Sequence, residues 1–145
     1  MLATICAAIL AGCTTQPRAS NRDPAQQPGY ARDIEQLASI NREANAAFAG
    51  GKADQAAELI KKGEPISARL LAVDHPTEAA LQAASDLDDL YGRMLFSNRH
   101  YAWARMFFQK NLVRWKHWNP PTEESARRLR KAQDQIADCD RLMGQ

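Results

Sequence analysis

The stretch GRMLFSNRHYAWARMFF, residues 92–108, carries two helical segments and the turn that joins them. Gly92 is followed seven residues later by Arg99 at the turn, five further on by Ala104, and four after that by Phe108. Residues 44–60, ANAAFAGGKADQAAELI, place Ala44, Gly51, Ala56 and Ile60 at the same intervals. Small side chains on facing helices let the two backbones approach, and the bulkier residue one turn later fills the space beside them. The two stretches therefore read as two helical hairpins, with equivalent positions 48 residues apart.

The same pattern extends in both directions. From Ala31 onward the chain is rich in Ala, Leu, Gln, Glu, Arg and Lys, with few β-branched residues and no alternating runs, which favours helix over strand. The spacing predicts a first helix over 31–49, with Ile34, Leu37, Ala44, Ala47 and Phe48 inward, ended by Gly50-Gly51. A second is predicted over 52–62, stopped by Gly63 with Pro65 two residues on, and then a short helix or packed loop over 66–73. Pro76 reads as the first-turn proline of a long helix over 76–97. Helices follow over 100–117 and, capped by Asn119 or Thr122, to about residue 143. Short connections between five main helices imply antiparallel hairpins and an all-α fold.

The small–turn–small–bulky spacing, with Leu90-Tyr91-Gly92 and Tyr101 beside it, resembles the tetratricopeptide repeat family. The resemblance covers about residues 37–117 and implies a tetratricopeptide-like array or bundle of about five helices that binds other proteins. Arg99 stands where that family has its turn glycine, and the interval of 48 exceeds the family's usual period of about 34.

The N-terminus points to a compartment. Residues 2–12 are apolar except for Thr4, a run too short for a hydrocarbon core that takes ~20 helical residues but fitting the core of a secretory signal. It ends at Leu10-Ala11-Gly12-Cys13. Residues 1–15 resemble bacterial lipoprotein precursors, whose lipobox this tetrapeptide matches. The resemblance implies a signal peptide over 1–12 and a lipidated Cys13 as first mature residue. Several acyl chains on one cysteine are needed, because a single chain holds a protein to a bilayer only marginally. Thr14, where an Asp would signal inner-membrane retention, implies the outer membrane, facing the periplasm. No Lys or Arg precedes Arg18, so the basic start of such a signal is missing and a start codon further upstream is expected. Residues 13–30 hold three prolines and no aliphatic side chain larger than Ala. They read as a flexible tether, spanning roughly 20–25 Å, ahead of a helical domain over 31–145.

Within the domain, eight of the ten aromatic residues lie between Tyr91 and Trp118. Trp103, Phe107 and Trp118 share one side of their helix, and Ala104, Phe108 and Trp115 another. Either both sides are core, as for the middle helix of an array, or Tyr101, Trp115 and Trp118 line a groove for a partner. Charge is segregated too. Residues 31–92 carry six Lys/Arg and eleven Asp/Glu, a balance of −5, and residues 93–131 carry ten Lys/Arg and two Glu, a balance of +8. The basic set, with Arg114, Arg127 and Lys131 as candidate binding residues, either faces anionic lipid, a cell-wall polymer or an acidic protein, or pairs with Asp86, Asp88 and Asp89.

Nothing in the sequence builds a catalytic centre. His75, His100 and His117 have no Cys or carboxylate at metal-ligand spacing, and no phosphate loop or hydrolase motif occurs. No cofactor is implied. Glu123 and Glu124 suit the first turn of a helix for its dipole alone. With Cys6 removed in the signal and Cys13 lipidated, only Cys139 remains, on the apolar stripe of the last helix, and no intramolecular disulfide can form. The expected function is a membrane-anchored adaptor that binds an envelope protein through residues 91–131, with nucleic acid excluded by export. The alternatives are an envelope module for a small ligand or cell-wall polymer, or a cytosolic helical protein should the lipobox be accidental.

Overall fold

The computed structural model describes residues 23–144; Cys13, the signal segment and most of the tether lie outside them. Five α-helices follow a 3-10 turn at Pro24–Gln26: α1 (Pro28–Ala49), α2 (Ala53–Leu71), α3 (Glu78–Ser97), α4 (Tyr101–Lys116) and α5 (Glu123–Met143). The fold is all-α, as the periodicity requires. Consecutive helices pack as hairpins, and α1 also packs on α3. The central α3 is the most heavily buried helix. One core cluster, including Leu37, Ile60, Leu70, Leu87 and Leu90, joins α1, α2 and α3. A second, of Ala104, Phe108 and Cys139 with Leu95, Phe96 and Ile136 against it, joins α3, α4 and α5.

The two hairpin turns share one geometry. After α1, the amides of Gly50, Gly51 and Lys52 donate to the carbonyls of Ala46, Phe48 and Ala47. After α3, those of Asn98, Arg99 and His100 donate to Met94, Phe96 and Leu95, the same atoms 48 residues on. This is the left-handed helix end that usually takes glycine. Gly51 has φ +74°, and Arg99 takes φ 62° in its place. The small residues do what their spacing predicts. Ala44, Ala56 and Ala104 are fully buried, and a Cβ on Gly92 would lie 2.5 Å from Cε1 of Phe108. The ring of Phe108 thus rests on the α3 backbone.

Three expected boundaries are corrected. α2 does not stop at Gly63 but runs through Gly63 and Pro65 to Leu71, so the separate segment over 66–73 is its last two turns. An internal proline costs ~3 kcal/mol, but continuing the helix buries Ile66 and Leu70, at ~1.5–3 kcal/mol for each fully buried side chain. Gly63 serves as a contact point, where a Cβ would meet Cδ1 of Leu87 at 3.0 Å and Cδ1 of Leu37 at 3.1 Å. Second, Pro76 precedes α3 instead of opening it. Thr77 is the N-cap, its hydroxyl accepting from the Ala80 amide at 3.3 Å. Third, ordered structure reaches back into the expected tether. α1 starts at Pro28, and the Tyr30 hydroxyl donates to the Leu70 carbonyl (3.1 Å) and accepts from the Thr77 amide (3.4 Å), joining three helix ends. At α5 the cap is Thr122, in a reciprocal capping box with Ser125.

Gly92→Ala should destabilise the domain by about 1–3 kcal/mol, the usual cost of overpacking, because the Phe108 ring must move. Arg99→Gly should instead raise stability by about 1 kcal/mol by removing the left-handed penalty of a side chain. Urea unfolding of the two variants checks both signs.

Candidate functional site

α4 presents opposite faces to opposite surroundings. Ala104, Phe108, Asn111 and Trp115, at spacings of four, three and four, are buried between α3 and α5. On the far side Trp103, Met106 and Val113 are 59%, 53% and 48% exposed. The helix therefore lacks the two-sided cover that would have made all of its aromatics core. Phe107 is half-buried, its ring 4.6 Å from that of Tyr91 and with the Lys110 ammonium 4.3 Å above it.

The candidate binding residues divide on this geometry. Trp115 is not a groove residue. It is 3% exposed, with the Arg128 guanidinium 5.4 Å over its ring. Tyr101 is also turned into the fold, edge-on to Phe96 at 5.3 Å and against the α4–α5 core. Arg114 is only 11% exposed and is spent internally, pairing with Asp88 at 3.0 Å and donating to the Ser85 hydroxyl and the Asn111 amide oxygen. Arg127 is exposed, but it pairs with Glu124 in its own helix. Trp118 is half-buried and lines a shallow depression of about 490 Å³ with His75, Leu81 and Val113. Its indole N–H is enclosed and has no acceptor among the described residues.

Half of the ten Lys/Arg of the basic segment pair with carboxylates on other helices. Arg128 meets Asp86 at 2.6 Å, Arg114 meets Asp88, and Lys131 meets Asp89 at 3.0 Å, while Lys110 lies 3.6 Å from Asp88. Asp89, 9% exposed, also accepts from Arg93 at 3.0 Å and Gln135 at 2.8 Å. Burial opposes its charge, but the Gln135 amide and the Lys131 ammonium outweigh this and hold the carboxyl below its ordinary value. Glu124 is held down at about 2, first by its hydrogen bond from Arg127 and then, against partial desolvation, by Arg128. Burial raises the Cys139 thiol, with Asp140 and Asp138 adding to the shift, so this cysteine is an unreactive core residue.

Lys131 borders a different hollow from those lined by Arg114. A cleft of about 490 Å³ lies between α1, α3 and α5, edged by Asn41, Arg42 and Asn45 as well as Asp89, Arg93 and Lys131. Arg93 donates to the Asn45 amide oxygen across positions equivalent in the two hairpins. Asn41 donates to the Ala83 carbonyl at 2.7 Å, but its own side-chain oxygen is buried without a donor. Asn41 and Asn45 escape charge and aromatic counts. Their one signal in the sequence is an Asn between Leu37 and Ala44 on an otherwise apolar stripe.

Compared with protein-family models, curated proteins and solved structures, the chain matches none. Among the described residues no group of three or more His, Cys, Asp or Glu is placed to hold a metal ion. No described helix is long and apolar enough to cross a membrane.

Arg114→Ala should cost about 2–4 kcal/mol in urea unfolding, since it leaves a largely buried Asp88 with only the longer contact to Lys110. Arg127→Ala should change stability by no more than about 0.5 kcal/mol, as an exposed pair does. The Glu124 carboxyl binds its proton less readily folded than unfolded, so its stabilisation is complete above pH 4.5 and fades as pH falls towards about 2. The stability difference between the native chain and Glu124→Gln should accordingly vanish across that window in acid titrations followed by circular dichroism.

Proposed function

We propose that this protein is a lipid-anchored helical adaptor of the bacterial cell envelope, attached through Cys13 and facing the periplasm, with the outer face of α4 as its partner-binding surface. The observation that carries the reading is the exposure of Trp103, Met106 and Val113 together on one helix face. Apolar side chains gathered on one exposed face mark interaction sites more often than singly scattered ones do. The Leu10-Ala11-Gly12-Cys13 motif, directly after an apolar run of signal length, supports the anchor. Thr14 favours the outer membrane. The half-buried Trp118 extends the surface beyond the end of α4, whereas Trp115, Tyr101 and Arg114 support it from within.

A second reading, an envelope module for a small ligand or cell-wall polymer, is favoured by the α1–α3–α5 cleft. There the orphaned Asn41 oxygen and mixed charges offer hydrogen bonds to a polar molecule.

Cells fed radiolabelled palmitate should label the native chain and leave Cys13→Ala unlabelled. Equal labelling of the two, or none in either, removes the anchor and returns the chain to a cytosolic reading. Envelope pull-downs should lose their partner with Met106→Asp and keep it with Asn41→Ala. A peptidoglycan sedimentation assay that loses binding with Asn41→Ala would favour the second reading.

A further inference from the structure

Trp103, Met106, Lys110, Val113 and His117 follow one another at intervals of three, four, three and four. This is the seam of a coiled coil, and two heptads of it lie within α4 and its C-cap. All but Lys110 and His117 are apolar, and the Lys110 ammonium lies 4.3 Å over the ring of Phe107 beside the seam. Beside the seam, between α2 and α4, a hollow of about 380 Å³ is lined by Leu71, Leu87 and Phe107, with Glu64 and Asp88 facing Lys110 and Arg114 at its edges. A helix lying on α4 would have a place there for its own apolar side chains.

Charge distinguishes among the possible occupants. α4 carries Arg105, Lys110, Arg114 and Lys116 and no acidic residue. Arg105 and Arg114 are paired with Asp140 and Asp88. Lys110 is more than half exposed and reaches Asp88 only at 3.6 Å, the longest of the ion pairs among the described residues, and none of those pairs includes Lys116. A second copy is disfavoured, because two such seams in register would set Lys110 against Lys110, and neither helix has an acid to relieve it. A flat anionic membrane is disfavoured as well. The flanking α2 and α5 each carry as many acids as bases, three of each and five of each, so the positive strip is one helix wide.

We propose that the outer face of α4 receives an acidic amphipathic helix, which lays an apolar seam on Trp103, Met106 and Val113 and brings carboxylates to Lys110 and Lys116. This rests on the adaptor reading and names the chemistry of the partner.

The test uses the full chain and two labelled synthetic peptides of three heptads, both with Leu at the seam positions. One has Glu and the other Lys at the flanking positions, and binding is followed by fluorescence anisotropy. The Glu peptide should bind at least roughly tenfold tighter than the Lys peptide, the more so at low salt. Its binding should be lost in Met106→Asp/Val113→Asp with the unfolding midpoint unchanged, and Lys110→Glu should narrow or reverse the preference. Equal affinity for the two peptides, or binding of neither, would overturn the proposal. So would a dimer in sedimentation equilibrium, or binding to vesicles of phosphatidylglycerol and phosphatidylcholine, if either disappears with the double variant. In cells, a benzoylphenylalanine crosslinker at Val113 separates the two levels. A protein adduct without Glu-peptide binding rejects the acidic helix and leaves the adaptor, whereas neither adduct nor binding rejects both.

Discussion

The contact between Gly92 and the ring of Phe108 sets the arrangement of the second half of the molecule. An aromatic ring can rest against the α3 backbone only where no Cβ intervenes. Once it does, the rotation of α4 is fixed. Ala104, Asn111 and Trp115 follow Phe108 inward at helical spacing, and Trp103, Met106 and Val113 are turned to the outside. The same rotation brings Asn111 to the Ser85 carbonyl at 3.0 Å and Arg114 to Asp88. From the other side of α3, Asn41 holds the Ala83 carbonyl in the same way. The central helix is thus gripped two residues apart by amides from α1 and α4, which favours one register over neighbouring ones.

Charge follows from that stacking. A segment of balance +8 is a strong field when read along the chain, yet α3 lays Asp86, Asp88 and Asp89 against α4 and α5 and cancels much of it. Pairs with little exposure, such as Arg114–Asp88, are costly to break because the remaining ion stays desolvated. Exposed pairs within one helix, such as Arg127–Glu124, contribute little. What remains open to a partner is therefore a narrow apolar strip with Lys110 and Lys116, and not the broad basic surface that composition suggests. A structural role for Arg114 and a binding role for the α4 face are compatible, since its guanidinium is turned to Asp88 and Ser85 while Met106 and Val113 beside it stay exposed.

The parts of the fold legible in the sequence were those governed by local geometry. The left-handed turn at Arg99 could be placed because the preceding and following small residues repeat those around Gly51, and the helix-end hydrogen bonds recur atom for atom. For the α5 cap the sequence offered Asn119 and Thr122 alike, and the structure takes Thr122. Gly63 and Pro65 misled, because their breaking tendency is a local energy that the burial of Ile66 and Leu70 exceeds. Trp115 and Tyr101 misled as site residues because a single helix wheel shows that two apolar sides exist but not which one a neighbour covers. Of the cleft around Asn41 the sequence shows only a polar residue on an apolar stripe, since the cleft is made by three helices that meet only in space.

The sequence by itself determined the helical class, the pairing into hairpins and the small-residue contacts at their turns, because periodicity and turn chemistry act within a few residues. It also contains the Leu10-Ala11-Gly12-Cys13 motif on which the proposed attachment rests. Only the tertiary structure decided that α2 continues through its proline, that Arg114 and Trp115 are internal, and that α4 leaves Trp103, Met106 and Val113 uncovered. Burial and ion pairing depend on distances between helices far apart in the chain, and those distances follow from how closely a ring such as Phe108 can approach a backbone such as that at Gly92.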